Sequence, residues 1–174
     1  ELVKISEKEI NDIAENPDKP TFENTIEAMA FSGEQLDRVS NIFFNINSAE
    51  TNDEIQKIAQ EVSPLLTEFS SKISQNEKLF ERIKTVVDER NNYDMNEEQQ
   101  TLLDETYKGF VRSGALLNEN DKKKLEKINM DLSVKSLQFG QNALASTNAY
   151  FKHITNREDL KGIPEAMLHQ YEEE

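Results

Sequence analysis

The chain contains no cysteine, which excludes disulfides and thiolate zinc sites. Five glycines and four prolines in 174 residues are too few for the frequent turns of a β-sandwich. No apolar run approaches the roughly 20 residues that cross a bilayer. The opening ELVKISEKEI lacks the pattern of a signal peptide. Positive charge is also short. Lysine and arginine total 20 against 34 acids, a formal net charge of −14. Such a surface repels phosphate backbones and anionic headgroups, so neither nucleic acid nor membrane is expected as a partner. Its simplest role is solubility.

What remains is a helical composition, 31% charged. A chain of this length can bury roughly 70% of its unfolded surface, enough for a true core. The stretch from Pro17 to Glu54, PDKPTFENTIEAMAFSGEQLDRVSNIFFNINSAETNDE, reads as one long amphipathic helix between two start signals. Asn16, Pro17 and Pro20 stop a short helix carrying Val3, Ile5, Ile10 and Ile13, because proline cannot donate and restricts its predecessor. Thr21 is a suitable N-cap. Phe22, Ile26, Met29, Gly33, Leu36, Ser40 and Phe43 then recur at steps of four and three, which places them on one packing face. Val39, Ile42 and Ile46 widen it. Gly33 suits close approach of a neighbouring helix, or a kink with Ser32.

The same rhythm recurs downstream. TNDE at Thr51–Glu54 and TNRE at Thr155–Glu158 have the form of capping boxes. Ile55, Ile58, Val62, Leu65, Phe69 and Ile73 follow the first, with Pro64 expected to bend that helix. Asn76 caps a helix with Leu79, Phe80, Ile83, Val86 and Val87; Asn96 with Gln99 opens another, ending near Gly114. Asn118 or Asn120 starts a long helix with Leu125, Ile128, Leu132, Phe139, Ala143 and Tyr150 on or near one face. Pro164 suits the first turn of a final helix. The fold class expected is all-α: a multi-helix bundle of long amphipathic antiparallel helices, one bent near Pro64, in a single domain over residues 1–174.

Chemistry is harder to find. Zinc hydrolysis needs imidazoles one helical turn apart, as in H-E-x-x-H. His153 and His169 are the two histidines, and only His169 has carboxylates, Glu172 and Glu173, at helical spacing. A solvated acidic helix end explains that group more simply. His153 reads as a loop residue. Arg90, Asn91 and Asn92 form a polar loop with no glycine cradle for phosphate. Lys122, Lys123 and Lys124 read as a solvated charge run. With 34 acids, carboxylate pairs are unavoidable and none is marked by spacing. There is no G-x-S-x-G, Walker loop or dinucleotide fingerprint. Phe43 and Phe44 point about 100° apart on a helix, so one can enter the core while the other faces a cleft or partner, although core packing of both is the simpler reading. No catalytic, cofactor-binding or metal-ligating residue is assigned.

Several pieces together carry a resemblance. They are Asn16 and Pro17 followed by PTFENTIEAM at Pro20–Met29, SGEQLDRV at Ser32–Val39 and NIFFNINSAETNDE at Asn41–Glu54. VSPL at Val62–Leu65, LFERI at Leu79–Ile83, YKGFVRSGALL at Tyr107–Leu117, DKKKLEKIN at Asp121–Asn129 and LKGIPE at Leu160–Glu165 follow. In this order they resemble the N-terminal helical region of the oligopeptidase A, dipeptidyl carboxypeptidase (peptidyl-dipeptidase) and thimet oligopeptidase family of zinc metallopeptidases. The bacterial dipeptidyl carboxypeptidase branch fits best. The resemblance implies a largely helical parent several times this length, split by a deep channel that admits short peptides. These helices would form one channel wall. Zinc would sit elsewhere, on a helix with H-E-x-x-H, where both histidines bind the metal and the glutamate activates water.

That motif does not occur here. The resemblance therefore implies an inactive piece with the missing catalytic domain as its partner, no cofactor of its own, and zinc only in the parent. A cytoplasmic monomer is the family-based expectation. The chain lacks an initiator methionine and ends Glu-Glu-Glu, so both ends are expected to be boundaries within a longer protein. An exposed apolar patch where the rest would dock is a further expectation. From the residues alone, a free-standing helical interaction module fits equally well.

Overall fold

Residues 1–172 are described by the computed structural model, with backbone only for residues 170–172. Among them there is no strand, and the protein is all-α. It divides into two compact units, Glu1–Phe139 and Gly140–Glu174.

In the first unit, α1 is Leu2–Ala14 and buries Ser6, Ile10 and Ala14 along one side. After the Pro17–Pro20 loop comes a π-helical turn, Phe22–Glu27. Thr21 caps it: its Oγ1 accepts from the Asn24 amide at 3.2 Å, and Asn24 Oδ1 accepts from the Thr21 amide at 2.8 Å. The turn runs into α2, Ala28–Phe31. There the expected single long helix stops. Gly33 adopts φ 75° and becomes the N-cap of α3, Glu34–Ala49. Its amide donates to a Glu9 carboxylate oxygen of α1 at 2.8 Å. A left-handed residue costs glycine little and any other residue roughly 1 kcal/mol or more. Gly33 is thus a chain break rather than a kink within one continuous helix, and it does lie close to α1, where an added Cβ would meet Ser6 Oγ at 3.6 Å.

The next helices are α4 (Asp53–Ser74), α5 (Glu77–Asp88), α6 (Glu97–Arg112) and α7 (Glu119–Ala149), the last continuing into the second unit. The caps follow side-chain chemistry. Asn76 Oδ1 accepts from the Leu79 amide, Asn96 and Gln99 form a reciprocal capping box, and Asn118 Oδ1 accepts from the Asp121 amide. At α4 the cap is Asn52, accepting from the Ile55 amide at 2.9 Å; Thr51 is not the cap. α4 continues through Pro64 as one helix. Gly114, at φ 92°, follows the end of α6 as its position suggests.

The core lies where α1, the π-helical turn, α5 and α6 meet. Ile10, Ala14, Phe22, Ile26, Leu79, Phe80, Ile83, Val86, Leu103 and Phe110 form it. Phe80 stacks on Tyr107 and Phe110, with ring centres 5.7 and 6.2 Å away. α5 is the central element, since it packs on α1, the π-helical turn and α6. The Pro17–Glu54 stretch supplies Phe22 and Ile26 to this core, but α3 buries only Leu36.

In the second unit, Asn156 rather than Thr155 caps a 3-10 turn, Arg157–Leu160, accepting from the Glu158 amide at 3.2 Å. Gly162, at φ 95°, follows it, and α8 is Glu165–Glu172. Pro164 precedes that helix, its carbonyl accepting from the amides of Met167 and Leu168.

The anchor of the first unit is Arg82 of α5, only 7% exposed. Its Nη1 donates to the carbonyls of Asn16 and Asp18 at 2.8 and 3.0 Å, and its Nη2 to Asn24 Oδ1 and Thr25 Oγ1 at 2.9 and 3.3 Å. Arg82→Lys keeps the charge but not the planar fork. It is expected to destabilise the chain by about 2 kcal/mol through lost hydrogen bonds to buried groups. Urea unfolding checks this, and an unchanged midpoint with an unchanged slope contradicts it.

Candidate functional site

Three features of the first unit carry polar or aromatic groups of possible functional weight. The first is the Arg82 cluster. Burial pushes the guanidinium below its ordinary pKa, and the nearby Asp18 carboxylate opposes that shift. The ordinary value is so high that the group stays charged. Asn24 is its hub. Asn24 Oδ1 accepts from Arg82, from the Thr21 amide and from Thr25 Oγ1, while Nδ2 donates to the Lys19 carbonyl. Most bonds here hold the 16–25 segment in place, the buried Arg82 Nε is left without a partner, and no nucleophile or base faces an open space. Arg82 is not visible as a site in the hydrophobic rhythm. The available signal is its position, three residues after Leu79 and four before Val86, inside an apolar stripe.

The second feature corrects the reading of the lysine run. Lys122 is 4% exposed, while Lys123 and Lys124 are exposed. Lys122 Nζ donates to Glu77 Oε1 at 2.8 Å and reaches Glu119 Oε1 at 3.5 Å. A cation in the first turn of a helix opposes the helix dipole. The two carboxylates offset that, and Glu77 ties the start of α7 to the start of α5. The Glu77 hydrogen bond holds the Lys122 pKa above its ordinary value despite burial, and Lys122 in turn holds Glu77 below the usual glutamate range.

The third feature is a cavity of about 280 Å³ lined by Arg90, Asn91, Tyr93, Met95, Gln100, Leu103 and Asp104. Arg90 and Asp104 pair at 3.2 Å, and Tyr93 Oη donates to the Pro20 carbonyl at 3.2 Å. Arg90–Asn92 form a short 3-10 turn rather than an irregular loop. A second hollow of about 300 Å³ lies between α4 and α6, over Ile73 and Phe110. Both fall at the bottom of the roughly 300–1,000 Å³ range of ligand pockets, and neither gathers an acid–base pair aimed at an empty space.

The remaining sequence candidates do not converge. Phe43 and Phe44 are both half-buried and touch edge to face, with ring centres 5.1 Å apart. They do not divide into a core ring and a cleft ring. His153 is exposed, in the segment after α7. His169 lies in α8, but the side chain of Glu172 and all of Glu173 fall outside the described residues. Among the described residues no three His, Cys, Asp or Glu side chains gather as a metal site, and no helix is long and apolar enough to cross a membrane.

The fold of the described residues defines an all-α helical domain. A profile described as Neurolysin/Thimet oligopeptidase, N-terminal domain, matches residues 1–123. The chain belongs to that family of N-terminal domains. It is 36% identical over 157 residues to the dipeptidyl carboxypeptidase of Escherichia coli, covering 90% of this chain and 23% of that protein. With the dipeptidyl carboxypeptidase of Salmonella typhimurium the identity is 34% over 168 residues, 96% of this chain and 25% of the relative. With Escherichia coli oligopeptidase A it is 26% over 174 residues, again 96% of this chain and 26% of the relative. The chain therefore spans about a quarter of the length of these curated relatives.

The Lys122–Glu77 pair gives a pH signature. Glu77 contributes fully above its ordinary pKa, and the contribution fades as pH falls through its lowered value. Lys122 contributes fully below its ordinary pKa and loses effect as pH rises through its raised value. Glu77→Gln is expected to lower Tm by a few degrees near neutrality. The difference from the unchanged protein should close in acid, below the usual glutamate range, and close again in strong base. Thermal melts across pH test it; a constant gap down to the lowest pH counts against the pair.

Proposed function

We propose that this chain is the non-catalytic N-terminal domain of a zinc metallopeptidase that cleaves short peptides, of the dipeptidyl carboxypeptidase or oligopeptidase type. In this reading it forms one wall of the channel through which substrate reaches the catalytic centre. The observation that carries the proposal is family membership together with coverage: relatives named as peptidases align with nearly all of this chain, and it accounts for about a quarter of each.

Two structural facts support it. The donor set of the described residues does not fit a tetrahedral zinc, with two separated histidines, no cysteine and no gathered carboxylates. Metal chemistry in this reading belongs to another part of the polypeptide. The exposed apolar side chains also form stripes rather than isolated points. Val39, Ile42 and Ile46 share one side of α3, and Ile128, Leu132 and Phe139 share one side of α7. That is the surface a separated piece would present. A cytoplasmic location and short peptides as substrates are part of the same proposal.

The test uses the natural full-length polypeptide. It is expected to encode H-E-x-x-H beyond this segment, to release products from a short peptide, and to stop when a chelator removes the metal. The 174-residue chain by itself is expected to be inactive. A natural polypeptide lacking that motif and any peptidase activity would overturn the reading and favour a free-standing interaction module.

A further inference from the structure

We infer that the Val39–Ile42–Ile46 flank of α3 is a permanent docking surface for the portion of the natural polypeptide outside this chain, and not a peptide-lining surface. The inference rests on the reading above, in which the chain is one part of a larger peptidase.

The argument begins with helix geometry. At about 100° per residue, the order around α3 is Ile42, Gln35, Ile46, Val39, Phe43, Leu36, Asn47, Ser40 and Phe44. These side chains sweep an arc of about 200°, and all but Gln35, Ser40 and Asn47 are apolar. A helix that faces a single core needs an apolar stripe of roughly 100°. One part of the arc is used: Leu36 is buried, Ser40, Phe43, Phe44 and Asn47 are half-buried, and α3 packs on α1 and α4. The other part is not. Val39, Ile42 and Ile46 are 54%, 57% and 46% exposed.

One exposed apolar residue means nothing. Three within about 60° on successive turns form a continuous ridge. Beyond the arc, past Ala49 at the helix end, the helix is polar through Arg38, Asn45, Glu34 and Asn41, so the apolar width is bounded.

The shape and charge of this flank select the occupant. The ridge is a convex helix side, and the cavities described above are lined by other residues. A convex ridge suits a second helix packed ridge into groove better than a short extended peptide, which needs a cleft or a strand edge. A second copy of the chain is disfavoured by charge, since each carries −14 and self-association brings like charges together. Curated relatives are about four times as long as this chain, with 23–26% of their length covered. Additional polypeptide is therefore the occupant with the chain length to cover the ridge.

The experiment places a thiol on each side of the helix in the natural full-length polypeptide. Ile42→Cys sits on the ridge, and Asn41→Cys sits on the exposed polar side. Maleimide labelling is followed at each position by peptide mass spectrometry, native and in urea, and peptide hydrolysis is measured on the same preparations. The thiol at position 41 should react near its unfolded rate, and that at position 42 at least about tenfold more slowly, as a side chain behind a closed interface would. Val39→Cys and Ile46→Cys repeat the measurement should the first variant fold poorly. Equal reactivity at 41 and 42 overturns the inference. So does protection that grows with protein concentration, which identifies a second copy, and protection that appears only with added peptide, which makes the ridge a substrate surface. Hydrolysis with a freely reactive position 42 defeats the docking surface alone. A protected position 42 without hydrolysis defeats the peptidase reading and leaves the docking surface standing.

Discussion

A charged guanidinium inside an apolar core is tolerable only if nearly all its donors are satisfied. Arg82 meets that condition by reaching out of α5 to two backbone carbonyls and two side-chain oxygens of the 16–25 segment. The rest of the first unit depends on this arrangement. The Pro17–Pro20 loop has few backbone hydrogen bonds of its own, because proline cannot donate. Arg82 and Asn24 take up its carbonyls instead, at Asn16, Asp18 and Lys19. With the loop held, Phe22 and Ile26 enter the core against Leu79 and Ile83. Lysine cannot make this set of contacts, since a point ammonium lacks the fork.

Fixing the π-helical turn to α5 has a consequence further along. The chain enters α2 already committed to the core, and the Gly33 break then turns α3 onto α1 and α4. α3 therefore brings one buried leucine and a broad apolar arc to a place where only part of the arc finds a partner. α7 shows the same imbalance. Lys122 and the half-buried Leu125, Met130, Ser133 and Leu137 lie inward, while Ile128, Leu132 and Phe139 lie outward. Two amphipathic helices with surplus apolar flanks are unusual in a chain this acidic.

Much of the fold was legible because it rests on local rules. Helix class, the starts at Thr21, Asn76 and Asn96, and the stop at Gly114 follow from capping chemistry and period, while of the two candidates for the α7 start the structure selects Asn118 over Asn120. Family membership was legible too, because many short matches in order are specific even when none is chemical. The failures share a cause. In both Thr-Asn pairs the asparagine is the cap, a choice of one residue that depends on where the chain arrives. The stripe Ile128, Leu132, Phe139 has core spacing yet faces outward, since period reports that a face is apolar and not whether anything covers it. Tyr150 falls beyond the end of α7. Lys122 and Arg82 are buried by partners at Glu77 and at residues 16–25, contacts distant in sequence, and composition assigns both to the surface.

The same physics bears on where chemistry can reside. An active group needs a perturbed environment next to an open space that admits substrate. Here the two conditions are separated. The charged groups with little exposure hold elements together within the unit: Arg82 donates to two backbone carbonyls and to Asn24 Oδ1 and Thr25 Oγ1, with its buried Nε left without a partner, and Lys122 donates to carboxylates. The hollows between helices are small, and their charged wall groups are already paired, Arg90 with Asp104 and Glu105 with Lys108. Among the described residues, no buried charged group faces one of these hollows. The proposed docking ridge on α3 is one of two surplus apolar flanks, and a flank of this kind suits a packed helix.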